Sequence, residues 1–132
     1  MSLIQLIDLP NFGDQRGELV AIESNQSIPF EIKRLYYIFK TKNQSRGFHA
    51  HINLKQVAIC LKGSCRFVLD NGHSREDVIL DSPTQGLYIE SLTWREMHDF
   101  SDDCVLLILA SEHYDEKDYI FDYYEFMKKV GL

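Results

Sequence analysis

The stretch Ser45-Arg46-Gly47-Phe48-His49-Ala50-His51-Ile52-Asn53-Leu54-Lys55-Gln56 decides the fold, because two of the chain's five histidines stand one residue apart in it. On a strand, residues i and i+2 point to the same face, so both imidazoles would enter one space. In a small barrel that space is the interior, where ligands bind. A lone histidine is more often a polar-interior or loop residue. Two titratable rings placed side by side in an interior are costly to desolvate, and that pattern points to chemistry.

On both sides of this stretch the chain is a series of short apolar runs separated by turn residues. Leu3–Ile7 is followed by Pro10-Asn11-Phe12-Gly13-Asp14, and Glu18–Ile22 by a polar loop to Pro29. Glu31–Phe39, Lys55–Leu61, Cys65–Leu69, Asp77–Leu80, Leu87–Glu90 and Cys104–Ala110 complete the series. Asp70-Asn71-Gly72 is a strong hairpin turn signal. Runs of this length and spacing predict an all-β sandwich or barrel. Only Glu116–Val130 reads as helical, and its aromatics (Tyr119, Phe121, Tyr123, Tyr124 and Phe126) read as packing residues.

At 132 residues the chain is long enough for one domain with a real core, spanning 1–132. Hydrophobic residues make up 45%, which excludes a disordered chain. The net charge of -6 is a poor background for nucleic-acid binding, which takes a basic surface. No apolar stretch approaches the ~18–20 residues of a membrane span, and the first residues lack the basic start of a signal peptide. Cys60, Cys65 and Cys104 form no CxxC motif and no even set, which fits three reduced thiols in a cytoplasmic protein. In that setting the glycosylation patterns at Asn25 and Asn43 are chance matches.

The histidine pair also has a familiar spacing. Cupin barrels carry a first motif G-x5-HxH-x3,4-E-x6-G. Here His49-Ala50-His51 is followed by four residues, Gln56, six residues and Gly63. Glutamine thus stands where a metal-binding cupin has glutamate. Counting the second motif, G-x5-PxG-x2-H-x3-N, from Gly86 puts Leu92 at the proline, Trp94 at the glycine and Met97 at the histidine. Two of four metal ligands would be an amide and a thioether, whereas zinc, iron and manganese sites want imidazole and carboxylate. The expectation is a cupin frame without a metal, holding two imidazoles with ordinary pKa values near ~6.5. His98 becomes a third ligand only if the register slips by one. His73 and His113 read as surface residues.

More of the chain resembles one family. Asp14-Gln15-Arg16-Gly17-Glu18-Leu19, Phe30–Ile38 ("PFEIKRLYYI" from Pro29), Arg46–Gln56, Asp102–Ala110 ("DDCVLLILA") and Tyr114–Ile120 ("YDEKDYI") are similar to motifs of the nucleotide-sugar 3,4-ketoisomerases. These are RmlC-like cupins with a WxcM-like domain, acting on dTDP-4-keto-6-deoxy-D-glucose. The resemblance implies a jelly-roll barrel with a short C-terminal helical segment, no metal and no cofactor. It implies a homodimer with exchanged N-terminal strands, whose product feeds deoxyamino-sugar synthesis for a surface polysaccharide. By the same resemblance, His49 and His51 are the acid–base residues, with Tyr37 and Arg46 beside the sugar. Arg16 would meet the diphosphate, and Gln56 and Trp94 would contact substrate. Tyr36 and Tyr37 face opposite ways on a strand, and the resemblance selects Tyr37. The chain departs from the family's proline-containing loop at Glu90-Ser91-Leu92-Thr93-Trp94, and has Phe121 where relatives often have arginine.

Two rival readings are a dTDP-sugar 3,5-epimerase and a non-catalytic sugar-binding cupin. The epimerases pair a histidine base with Asp and Tyr and lack this HxH; a binding protein needs no acid–base pair. A metal-dependent cupin oxygenase is a third, opposed by Gln56 and Met97.

Overall fold

The computed structural model describes residues 2–131, and these form two five-stranded antiparallel sheets. The strands are β1 (Gln5–Asp8), β2 (Arg34–Ile38), β3 (Arg46–His51), β4 (Gln56–Lys62), β5 (Cys65–Asp70), β6 (Arg75–Leu80), β7 (Gln85–Ile89), β8 (Trp94–His98), β9 (Val105–Ala110) and β10 (Tyr119–Ile120). One sheet has the order β1-β7-β4-β9-β2 and the other β10-β3-β8-β5-β6. The chain closes with a single short helix, α1 (Tyr123–Lys129). This is the expected all-β jelly roll.

The core explains why β4 reads as an unbroken apolar run. Its Ala58 and Cys60 point between the sheets, into a cluster with Phe67, Leu69, Leu87 and Leu106. Its Val57 and Ile59 point the other way, against Leu9, Ile28 and Phe30 of the N-terminal arm. A strand covered on both faces loses the polar alternation of a one-sided strand. The expected hairpin joins β5 to β6, from Asp70↔Arg75, with Gly72 at φ 93 and Asn71 Oδ1 accepting from the His73 and Ser74 amides.

Two expected elements differ. Glu18–Ile22 is not a strand; it makes only an isolated bridge, Asn11↔Val20. Its apolar residues Val20 and Ile22 pack on the second core cluster, so burial and not a ladder accounts for the pattern. Nor is Glu116–Val130 one helix. Asp115 caps a single 3₁₀ turn at Glu116–Asp118, Tyr119 and Ile120 pair with His51 and Ala50, and Asp122 then caps α1 through the Tyr124 and Glu125 amides. Two N-caps bracket a strand pair that local propensity could not announce. Among the described residues no helix is long and apolar enough to cross a membrane.

Candidate active site

Strand β3 carries His49 and His51 against β8 on one side and β10 on the other. Its register slips between Gly47 and His49, with Phe48 at φ 58, which marks a β-bulge. Past the bulge His49 faces Arg95, and His51 faces Tyr119 across β10. The two imidazoles meet edge to face at 4.9 Å between centroids. The Tyr119 ring lies 4.3 Å from His51 and 5.1 Å from His49, and stacks on Phe121.

His51 is 1% exposed and lies on the wall of a cleft of about 370 Å³, with Arg34, His113, Asp118 and Tyr119. Asp118 Oδ2 stands 3.3 Å from His51 Nδ1, yet off the line of a hydrogen bond, so that buried nitrogen has no bonded partner. Asp118 is itself fixed by the Asn53 and Leu54 amides, at 2.9 and 3.2 Å. His49 is half-buried and does not line this cleft.

Arg95 is the buried cation of the site. Its Nη1 donates to Gln56 Oε1, and its Nε and Nη2 donate to the Thr93 carbonyl. Gln56 passes the chain on, its Nε2 donating to the Tyr36 hydroxyl at 3.0 Å. Burial pulls the Arg95 guanidinium down to about 10, which leaves it charged near neutral pH. That charge acts back on the histidines. Burial first, then Arg95, pushes His49 down to about 4. Burial, then Arg95, then His49 and Arg34 push His51 down to about 2. Both rings are therefore neutral at physiological pH, well below the ordinary values expected from sequence.

Of the seven site residues read from the sequence, the fold gathers His49, His51 and Gln56. Tyr37 stands apart from the pair in the single chain. It pairs with Leu107 on the outer face, is 59% exposed and tilts against Phe39. Tyr36 pairs with Ile108, a residue of the inner core, and its hydroxyl joins Gln56. Strand parity admits only one of the two, and the paired residues on β9 decide which. Trp94 also stands apart. It is buried against Tyr123 and Phe126, its indole N–H held by Glu96, while the next residue, Arg95, takes the inner face. Arg46 pairs with Met97 and opens on another cleft, with Phe39, Thr41 and Phe100. Arg16 is a surface side chain, 86% exposed and bound to Asp14. His98 does not join the pair; it bonds Ser45 and Glu96. The sequence reading missed Arg34, Arg95, Asp118 and Tyr119. Tyr114-Asp115-Glu116-Lys117-Asp118-Tyr119 was visible as a motif, but nothing local says that it folds back on β3.

The family described as FdtA: WxcM-like, C-terminal, matches residues 2–131. A curated relative from Aneurinibacillus thermoaerophilus, named TDP-4-oxo-6-deoxy-alpha-D-glucose-3,4-oxoisomerase, is 54% identical over 128 residues, covering 96% of this chain and 92% of its own. Among solved structures, an asparagine-for-histidine mutant of the 3,4-ketoisomerase QdtA from Thermoanaerobacterium thermosaccharolyticum, in complex with TDP-4-keto-6-deoxyglucose, superposes with a TM-score of 0.94. It is 44% identical, and the match covers 98% of this chain and 95% of that one. The 3'-monoepimerase ChmJ from Streptomyces bikiniensis, at 16% identity and a TM-score of 0.74 over 89% of this chain and 68% of its own, shares the fold. With its match over nearly the whole length, the chain belongs to the WxcM-like C-terminal family.

Proposed function

We propose that this chain is a sugar-nucleotide 3,4-ketoisomerase that converts dTDP-4-keto-6-deoxy-D-glucose to a dTDP-3-keto-6-deoxyhexose. The observation that carries the reading is the edge-to-face pair of neutral imidazoles, His49 and His51, beside a buried guanidinium. Carbonyl migration needs a base for the C3 proton, which the C4 carbonyl acidifies, and a donor that returns a proton to C4. It also needs a shuttle between the two oxygens. His51 is the carbon base and His49 the oxygen shuttle. The enediolate between them develops negative charge, and a fixed cation in a dry site stabilises such charge strongly. Arg95 and the Tyr36 hydroxyl fill the role that Arg46 and Tyr37 were expected to fill. Arg34, whose guanidinium lies over the Tyr36 and Tyr114 rings, supplies a cation on the cleft wall for the diphosphate.

The same residues support a metal-free reaction. Gln56 Oε1 is already taken by Arg95, and Met97 lies in the apolar core, so the amide and thioether positions present no ligand set around the histidines. The proposed setting is the cytoplasm, supported by three unbridged cysteines.

A homodimer with exchanged N-terminal strands belongs to the same proposal. Leu35, Tyr37 and Phe39 stand exposed at the sheet edge formed by β2, and Phe12 and Leu19 on the N-terminal arm. β1 meets β7 through only four residue pairs, a ladder that a partner's strand could equally form. Sedimentation equilibrium is expected to give the mass of two chains; a single-chain mass at micromolar concentration removes this part.

The second reading is the 3,5-epimerase, favoured by one observation: His51 does stand between Asp118 and Tyr119. Proton NMR of dTDP-4-keto-6-deoxyglucose with the protein in D₂O separates the two. The expected result is migration of the carbonyl to C3, with deuterium at C4 or a proton carried over from C3. Exchange at C3 and C5 without migration selects the epimerase, and an unchanged spectrum selects a binding protein.

A further inference from the structure

All three cysteines of the chain meet at one point, although Cys60 and Cys104 are 44 residues apart. Cys60 lies near the end of β4, Cys65 opens β5 and Cys104 immediately precedes β9. Their sulfurs all lie within 4.8 Å of one another, with 3.8 Å between Cys60 and Cys104, and none is in a disulfide. Each is at most 1% exposed.

Cysteine is a common small core residue, and burial alone would mean nothing. Here the backbone fixes the sulfurs together. Gly63, at φ +71, makes the turn between β4 and β5, and a Cβ there would stand 3.0 Å from Cys104 Cα and nearer still to Ser101 and Asp103. The β4–β9 ladder shifts register between Cys60 and Lys62, and Cys60 Sγ comes to 3.2 Å from the Lys62 carbonyl. Zinc–sulfur bonds of ~2.3 Å in a tetrahedron place sulfurs about 3.8 Å apart. The Cys60–Cys104 separation of 3.8 Å matches that edge, and the other two fall within 4.8 Å. The donor set is all sulfur, which selects soft d¹⁰ ions over hard ones such as magnesium. The ligands are thiolates, and the ion's two positive charges offset most of the charge they develop among Phe67, Met97 and Phe100.

We propose that Cys60, Cys65 and Cys104 form a sulfur site for a soft divalent d¹⁰ cation, zinc or cadmium, which ties the β4–β5 turn to the start of β9. It is separate from the histidine site: Cys60 is four residues beyond Gln56 on the same strand, about 13 Å along it. Binding releases the protons of the thiols that ionise and stabilises the folded state, because the unfolded chain holds no preformed triad.

The probe is cadmium, whose thiolate complexes absorb in the ultraviolet by charge transfer. The reduced, metal-stripped protein is titrated with cadmium chloride, with magnesium chloride as control. One equivalent of cadmium should bind with a new charge-transfer band and raise the melting temperature, while magnesium does neither. Cys65→Ser and Cys104→Ser should each weaken cadmium binding roughly 100-fold and leave isomerisation of the sugar nucleotide intact. Should either variant fail to fold, the wild-type titration still decides. No bound cadmium, or binding without the band, overturns the site. A purified protein with one free thiol when denatured without reductant also overturns it, since that count means a Cys–Cys bond has taken two of the ligands.

Discussion

Replacing His51 with asparagine lowers turnover of dTDP-4-keto-6-deoxyglucose by about 10²–10⁴-fold, and His49→Asn does the same, with the circular dichroism spectrum of each variant unchanged. The size follows from the loss of a positioned proton carrier. The intact fold follows from the site's bonding: His51 Nδ1 holds no partner, and the stretch after β3 is anchored by Asp118 through backbone amides and not through the ring. The wild-type pH profile carries the second half of this expectation. A base must be neutral to accept a proton, and His49 is held down to about 4 with His51 lower still. Activity should therefore stay level as pH falls from about 8 through the ordinary histidine range near ~6.5, and decline only toward about 4 to 5. Near-normal turnover in either variant sinks its catalytic role. An inflection in kcat/KM close to 6.5 shows instead that at least one imidazole titrates as if in water, and that burial beside Arg95 does not set the working state.

The second large effect is on the support beneath the site. Phe126→Ala should cost about 3–5 kcal/mol of stability, read from the midpoint of urea unfolding. Phe126 is wholly buried, and packs on Trp94 and Tyr123 at 5.9 Å each, in a small cluster with Ala50 and Ile120. Ala50 lies between the two histidines in sequence, and Ile120 follows Tyr119. The helix thus clamps the backs of β3 and β10, whose other faces carry the imidazoles and the tyrosine. Activity should fall together with stability as Tyr119 loosens. A loss under about 1 kcal/mol would mean that β10 holds its place by the two backbone pairs with β3 alone.

Several residues show how much of this was legible beforehand. His49 and His51 were readable because their chemistry is rare and their spacing is local: i and i+2 share a face on any strand. Gln56 was readable as a frame position, though not as the acceptor for Arg95. The apolar run of β4 and the Asp70-Asn71-Gly72 turn likewise carry their meaning within a few residues. The placement of Tyr37 and Trp94 was not readable in this way. In each pair, Tyr36-Tyr37 and Trp94-Arg95, parity assigns one residue inward and one outward, but the choice depends on which strand lies alongside. That is a tertiary fact, set by β9 beside β2 and by β3 and β5 beside β8.

The sequence by itself determined that this chain is an all-β barrel with an imidazole pair inside it, because alternation, turn chemistry and the HxH spacing act over short distances. Only the tertiary structure decided what surrounds that pair. The Phe48 bulge sets which neighbours His49 meets; the fold-back of Asp118 and Tyr119 lays a carboxylate and a ring against His51; and burial, with the charge of Arg95 added to it, keeps both rings neutral. Desolvation and Coulomb interaction depend here on Arg95, Asp118 and Tyr119, brought back from 44 or more residues along the chain. No window of sequence contains them.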